Sequence, residues 1–183
     1  MEPQPVVAEL LFGEDDATPM STDRATIKPW SEAAACLGAA PKAWLSTVRP
    51  DGRPHAMPVS PVWLDGTPWF TTRPTSRKGR NLAHDDRCVL TAASDTLDLV
   101  VEGEARRVHG TGELRAAAEA FRTKYAWELT LRAGAAYDDS LPGSPEYAFY
   151  RLEPTRAYGF GPDGLTATRW LVGRAGAGWS REG

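Results

Sequence analysis

The chain has 183 residues, 42% hydrophobic and 25% charged, which suits one globular domain with a core of its own. A net charge of -3 excludes the overall basic balance of a nucleic-acid binder, so any cluster of arginines needs a local explanation. No run of about 18 apolar residues appears and the N-terminus does not read as a leader, which predicts a cytoplasmic protein with no membrane partner. Cys36 and Cys88 lie too far apart in sequence for a paired metal spacing or a disulfide framework, and read as buried free thiols.

In chain order, residues 1–28 mix proline and acidic residues around an apolar patch, Val6 to Phe12. They read as an extended arm, either loosely ordered or docked through the patch on a neighbouring subunit. Ser31 is the expected N-cap of a short helix through SEAAACLGAA, ended by Gly38 or Pro41. AWLSTV, the turn Arg49-Pro50-Asp51-Gly52 and an extended run from His55 to Leu64 make a hairpin. Asp65-Gly66 turns the chain into PWFTT, and the three runs are expected to form an antiparallel meander.

RKGRNLAHD is compatible with a helix, CVLTAA with a strand. In the longer strand LDLVVEGEARRV, Leu99, Val101, Gly103 and Ala105 share one face and Glu102, Glu104 and Arg106 the other. Residues 112–129 are the best helix in the chain, with Leu114, Ala117, Ala118 and Phe121 at core spacing. Residues 132–145 read as a loop. YAFYRLEP, AYGF and ATRW close the domain as strands, and the glycine-rich residues 173–183 read as a fraying tail. The domain therefore spans 29–172, mainly β with flanking helices. About six or seven antiparallel strands with few helices indicate a closed or partly closed barrel, because closure removes exposed edges.

The stretch FTTRPTSRKGRNL carries the chemistry. A strand ending in Thr71 and Thr72 and a loop bearing Arg73, Thr75 and Ser76 lead into a helix that starts at Arg77 and Lys78. Hydroxyls and cations thus meet at a helix N-terminus, whose dipole and free amides favour an anion such as a phosphate. The competing explanation is a solvated basic loop whose charges meet Asp85, Asp86 or Glu102.

Residues 42–110 resemble the pyridoxamine 5'-phosphate oxidase-like superfamily, the flavin and deazaflavin oxidoreductases. The resemblance rests on Ser76-Arg77-Lys78 after a strand, then Asn81-Leu82, then the next strand and VEGEA, with a weaker continuation in RLEP and in Thr168-Arg169-Trp170. It implies a six-stranded antiparallel split β-barrel, the FMN-binding split barrel, which dimerises with the cofactor at the subunit interface. By motif position Arg77 and Lys78 would hold the cofactor phosphate, assisted by Ser76, Thr71 and Thr72. His55, Met57, Pro58 and Val59 would run beside the ring, and Asn81 would orient the phosphate loop or the second subunit's edge.

Arg169 and Trp170 would fold over the groove. The implied activity is hydride transfer between FMN or coenzyme F420 and a small organic substrate, with a non-catalytic flavin- or haem-binding protein as the alternative. The C-terminal Arg/His/Tyr pattern of pyridoxamine phosphate oxidases proper is missing, which argues against that substrate. His55 is a candidate proton donor or a structural imidazole. His84, beside Asp85 and Asp86, and His109 read as surface residues, and a resident metal is not expected.

Overall fold

The computed structural model describes residues 6–13 and 22–173. Eleven strands form one sheet: β1 (Val6–Leu10), β2 (Ala43–Val48), β3 (Pro54–Val59), β4 (Pro61–Leu64), β5 (Thr67–Thr72), β6 (Arg87–Ala93), β7 (Asp98–Arg107), β8 (Thr130–Arg132), β9 (Ala135–Tyr137), β10 (Glu146–Phe160) and β11 (Ala167–Val172). The helices are α1 (Trp30–Ala39), α2 (Arg77–His84) and α3 (Thr111–Tyr125). All strand pairs are antiparallel, and the order runs β1-β11-β10-β7-β6-β2-β3, with β5 and then β4 joined to the first half of β10. The sheet curls into a split barrel whose count exceeds the expected six, because short flanking strands extend its edges.

β10 is the spine. Along one edge it pairs with β7, and along the other it holds β5 through residues 148–151 and β11 through residues 156–160. The sequence reads as two strands here, YAFYRLEP and AYGF, yet the chain continues as one. A bulge between Pro154 and Arg156 absorbs the residue that has no ladder partner. Opposite it sits Gly103, where a side chain would run into the Glu153 carbonyl.

Two hydrophobic clusters fill the two sides of this wall. The barrel interior packs Leu45, Phe70, Leu90, Leu99, Val101, Leu152 and Trp170 under α1. Outside it, α3 lays Leu114, Ala117 and Phe121 on Trp69, Phe149 and Ala136. The alternation read in β7 holds, with Leu99, Val101, Gly103 and Ala105 buried and the intervening residues half-buried. Cys36 and Cys88 are buried free thiols, and burial pushes Cys88 up to about 12.

Four expectations are corrected. The run His55 to Leu64 is not one strand of a meander: the chain leaves β3 at Ser60, and Pro61 opens β4, which pairs with β5 rather than β3. Residues 132–145 are not all loop, since β8 and β9 form a hairpin through Ala133 and Gly134, both at positive φ. Helix α1 begins at Trp30 with Pro29 as its cap, because Pro29 accepts the first turn's bond from Glu32 N, and Ser31 lies inside. Over Val6–Leu10 the arm is a strand against β11 of its own chain, Val6 opposite Val172 and Leu10 opposite Thr168. The tail from Arg174 lies outside the described residues. No described helix is long and apolar enough to cross a membrane.

Candidate functional site

A groove of about 370 Å³ opens where the ends of β3 and β5 meet the start of α2. It lies at the lower end of the ~300–1,000 Å³ common among small-molecule sites. Pro58, Val59, Thr71, Thr72, Ser76 and Lys78 line it, six residues that sequence motifs had placed on three separate elements. Its remaining walls include Arg73, Trp127 and Tyr147.

Local chemistry explains why α2 starts where it does. Ser76 caps it, its hydroxyl accepting from Gly79 N at 3.0 Å, while Thr72 Oγ1 lies 3.0 Å from the same hydroxyl. The amides of Arg77 and Lys78 belong to the first turn, where a helix has no internal acceptor to offer. Gly79 is required for close packing, because a Cβ there would meet the carbonyl oxygens of Arg73 and Pro74. Thr71 is committed elsewhere: its hydroxyl donates to Ala148 O at 2.9 Å and fastens β5 to β10.

Below the groove a buried relay connects helix and sheet. Asn81 is fully buried and donates from Nδ2 to Thr47 Oγ1 at 2.9 Å, and Thr47 Oγ1 donates to the His55 carbonyl at 3.3 Å. Asn81 therefore orients the helix that carries Arg77 and Lys78, and its side chain lies too deep to reach a subunit edge. Among the described residues the buried side-chain polar atoms left without a partner are Arg49 Nε, His55 Nδ1 and Asn81 Oδ1, the last two on members of this relay. Unpartnered buried polar atoms are uncommon and call for an explanation.

Electrostatics point the same way. Burial, then Arg49, Lys78 and Arg77, depress the His55 imidazole below its ordinary range. Burial alone lowers the Lys78 ammonium. Arg49, Arg77 and Lys78 make no ion pair among the described residues, whereas Arg106, Arg151 and Arg87 on other faces all do. The basic loop thus does not spend its charge on Asp85, Asp86 or Glu102; Asp85 pairs with Arg87 and Asp86 with Arg106. Three cations thus act on one imidazole, close to two hydroxyls and a helix N-terminus, a set of groups whose chemistry favours an anion.

Other predicted residues stand at different distances from these groups. His55 and Met57 lie on β3 just before the groove, His55 half-buried and Met57 44% exposed. Arg77 is exposed at the helix start. The structure does not bring Arg169 and Trp170 to the groove. Trp170 is 0% exposed, its indole donates to Lys28 O at 2.9 Å, and it packs edge-on against Trp30 at 5.8 Å, so it is a core residue and not a cover. Arg169 pairs with Glu9 of β1 at 2.8 Å. His84 and His109 are exposed, and neither lines the groove.

Arg49, Trp127 and Tyr147 were not singled out from sequence. A signal existed for Arg49, since the hairpin that sets Thr47 opposite His55 closes on Arg49 opposite Arg53, two positions further along the same face. None existed for Trp127 and Tyr147, which reach the groove only through the packing of α3 and the start of β10.

The pyridoxamine 5'-phosphate oxidase family model matches residues 30–161. Among solved structures, a conserved hypothetical protein from Mycobacterium tuberculosis superposes with a TM-score of 0.58 at 22% identity, covering 77% of this chain and 90% of that one. A heme binding protein from Mycobacterium smegmatis gives 0.58 at 21% identity, over 79% of this chain and 58% of that one. A putative pyridoxamine 5'-phosphate oxidase from Listeria innocua gives 0.52 at 13%, over 69% and 94%. These likenesses concern the fold. Among curated proteins, none matches the chain in sequence.

Proposed function

The chain belongs to the pyridoxamine 5'-phosphate oxidase family, and from that premise we propose that it is an oxidoreductase holding FMN or coenzyme F420 by the phosphate in the groove between β3, β5 and α2. The observation that carries this reading is the cation cluster of Arg49, Arg77 and Lys78, unpaired among the described residues, all three of which act on the His55 imidazole.

When bound, such a cofactor supplies hydride transfer to or from a small organic substrate. The chain's part is to hold and position. Lys78 and Arg77 would balance the phosphate charge, whichever of the Thr72 and Ser76 hydroxyls keeps its proton out of their mutual bond would donate to its oxygens together with the first amides of α2, and Pro58 and Val59 would give the ring an apolar edge. His55, its imidazole depressed by burial and by Arg49, Lys78 and Arg77, stands on β3 at the edge of the site.

Fluorescence titration of the cofactor-free protein with FMN, and separately with coenzyme F420, tests the reading. Binding of one of them that is lost in the Arg77→Ala/Lys78→Ala double variant supports it. Binding unaffected by that variant, or binding of neither, overturns it.

The working unit in this reading is a homodimer joined through the outer face of β2, β3, β6 and β7. Trp44 is 49% exposed there, in register with Pro58 on one side and Thr91 on the other. A cavity of about 460 Å³ on that face is lined by Ser46, Val48, Pro54, Val89 and Thr155. Pro58 belongs both to this face and to the groove, so a partner seated here would wall the site. Sedimentation should report a dimer for the native chain and a monomer for Trp44→Glu; a native monomer would refute the assembly.

A further inference from the structure

Phosphate recognition accounts for Lys78, Ser76 and Thr72, but not for Trp127, Tyr147 and Arg73, which line the same groove. Trp127 and Tyr147 meet edge to face, with ring centroids 4.8 Å apart and planes at 88°. Such pairs are favoured by the quadrupoles of the rings. The corner is braced from behind: Trp127 Nε1 donates to Asp138 Oδ2 at 2.9 Å, and the indole packs against Phe121 of α3 at 6.1 Å. Asp138 is itself pinned by the amide of Ser140 at 3.0 Å and by that residue's hydroxyl.

Arg73 closes the corner. Its guanidinium carbon lies 5.5 Å from the Tyr147 ring centroid, and its Nε donates to the Tyr147 hydroxyl at 3.3 Å. The side chain is exposed, and among the described residues its two terminal nitrogens have no partner and no carboxylate lies within ion-pair distance. A guanidinium fixed through Nε with both terminal nitrogens free has the fork that a carboxylate matches in two parallel bonds. Rigid rings beside it lower the ordering cost of a flat ligand.

We propose that Trp127, Tyr147 and Arg73 form the substrate side of the groove and that they take a planar aromatic carboxylate, its ring against the Trp127–Tyr147 corner and its carboxylate on Arg73. This assignment rests on the cofactor reading for its place in a reaction, and on the corner alone for binding. Aliphatic acids gain only the Arg73 contact, and neutral aromatics only the ring contact, so the site selects ligands that have both.

Calorimetric titration with 2-naphthoate and with its neutral counterpart 2-naphthylmethanol tests the assignment. Arg73→Gln should weaken naphthoate at least about tenfold and leave the alcohol within about threefold, as expected for a lost charge-assisted pair. Trp127→Leu should weaken both. FMN and coenzyme F420, titrated in parallel, should be indifferent to Arg73→Gln. No naphthoate binding, or binding that ignores both substitutions, overturns the assignment. A cofactor affinity that falls as far as naphthoate's in both variants also overturns it, by making the corner the seat of the cofactor ring. If naphthoate behaves as expected while neither cofactor binds the native chain, the aromatic subsite stands and the cofactor reading falls alone.

Discussion

Asn81 Nδ2 donates to the Thr47 hydroxyl across 2.9 Å in a site closed to solvent, and this single bond sets helix α2 on strand β2. Its effect is positional: the helix start, with Ser76, Arg77 and Lys78, is held against the hairpin that carries Arg49 and His55. Asn81→Ala leaves the buried Thr47 oxygen without its donor, while its own proton still goes to the His55 carbonyl, and should cost about 1–3 kcal/mol. Urea denaturation reads that loss. Thr47→Val should remove the same bond, and the double variant should fall well short of the sum of the two; full additivity would show that the bond is not what fastens the helix.

Charge-assisted bonds to a phosphate contribute about 1.5–3 kcal/mol each, so Arg77→Ala or Lys78→Ala should weaken the phosphorylated cofactor by roughly 10- to 100-fold. Arg49→Gln should move affinity in the same direction. Arg169→Ala is the control, since that guanidinium is paired with Glu9 across the sheet from the groove. Equal losses from Arg169→Ala and Lys78→Ala in fluorescence titration would mean that the anion sits elsewhere.

The depressed imidazole of His55 makes a signed prediction. Its folded pKa lies below the unfolded value of about 6.5, so the unfolded chain takes up the proton first on acidification. The stability contribution is whole above that value and is lost as pH falls from it toward the lowered folded pKa. An anion in the groove opposes the field of Arg49, Lys78 and Arg77 and raises the imidazole, so anion binding should take up protons near about pH 6. Sulfate, which has no proton to exchange there, is the probe. Calorimetry in two buffers of different ionisation enthalpy should find uptake in the native chain and none in His55→Gln; no uptake in either would separate His55 from the anion.

Glycine in a helix interior ordinarily gives way to alanine with a gain approaching about 1 kcal/mol. At Gly79 the sign should reverse, because the new methyl meets the backbone carbonyls of Arg73 and Pro74, which no rotamer change can move. Gly79→Ala should lower the melting temperature and weaken sulfate binding together, as the helix start is pushed off the loop. A rise in melting temperature would show that the loop yields.

Trp170 fills the core between Trp30 and Gly159, where a Cβ on the glycine would touch the indole at 2.5 Å. Trp170→Ala should cost about 3–5 kcal/mol, in the range of large aromatic truncations. Trp170→Phe keeps much of the volume and should leave cofactor affinity within about twofold, as expected of a residue remote from the site. A large affinity loss in that folded variant would return Trp170 to the groove as a cover.

The comparison between chain and fold turns on how local each signal is. Ser76 before Arg77 and Lys78, with a hydroxyl-bearing strand end behind them, is a contiguous pattern, and capping acts within one turn, so the start of α2 is legible in the chain. The faces of β7 were legible because side chains alternate with a period of two. Arg169 and Trp170 misled because adjacency in sequence says nothing of which sheet face a strand presents; β1 on one side and Trp30 on the other decided that. The β8–β9 hairpin was missed since three-residue strands leave no period to read.

By itself the sequence determined the class of the barrel, the inward and outward faces of β7 and the start of α2 at Ser76, the last two of which depend on interactions between residues a few positions apart. Only the tertiary structure decided that Arg49 joins Lys78 around His55, that Asn81 hangs the helix on Thr47, and that Trp127 and Tyr147 wall the same groove. Those contacts join separate elements of the fold, α2 to the β2–β3 hairpin and the segment after α3 to the start of β10, and such meetings leave no local mark in the chain.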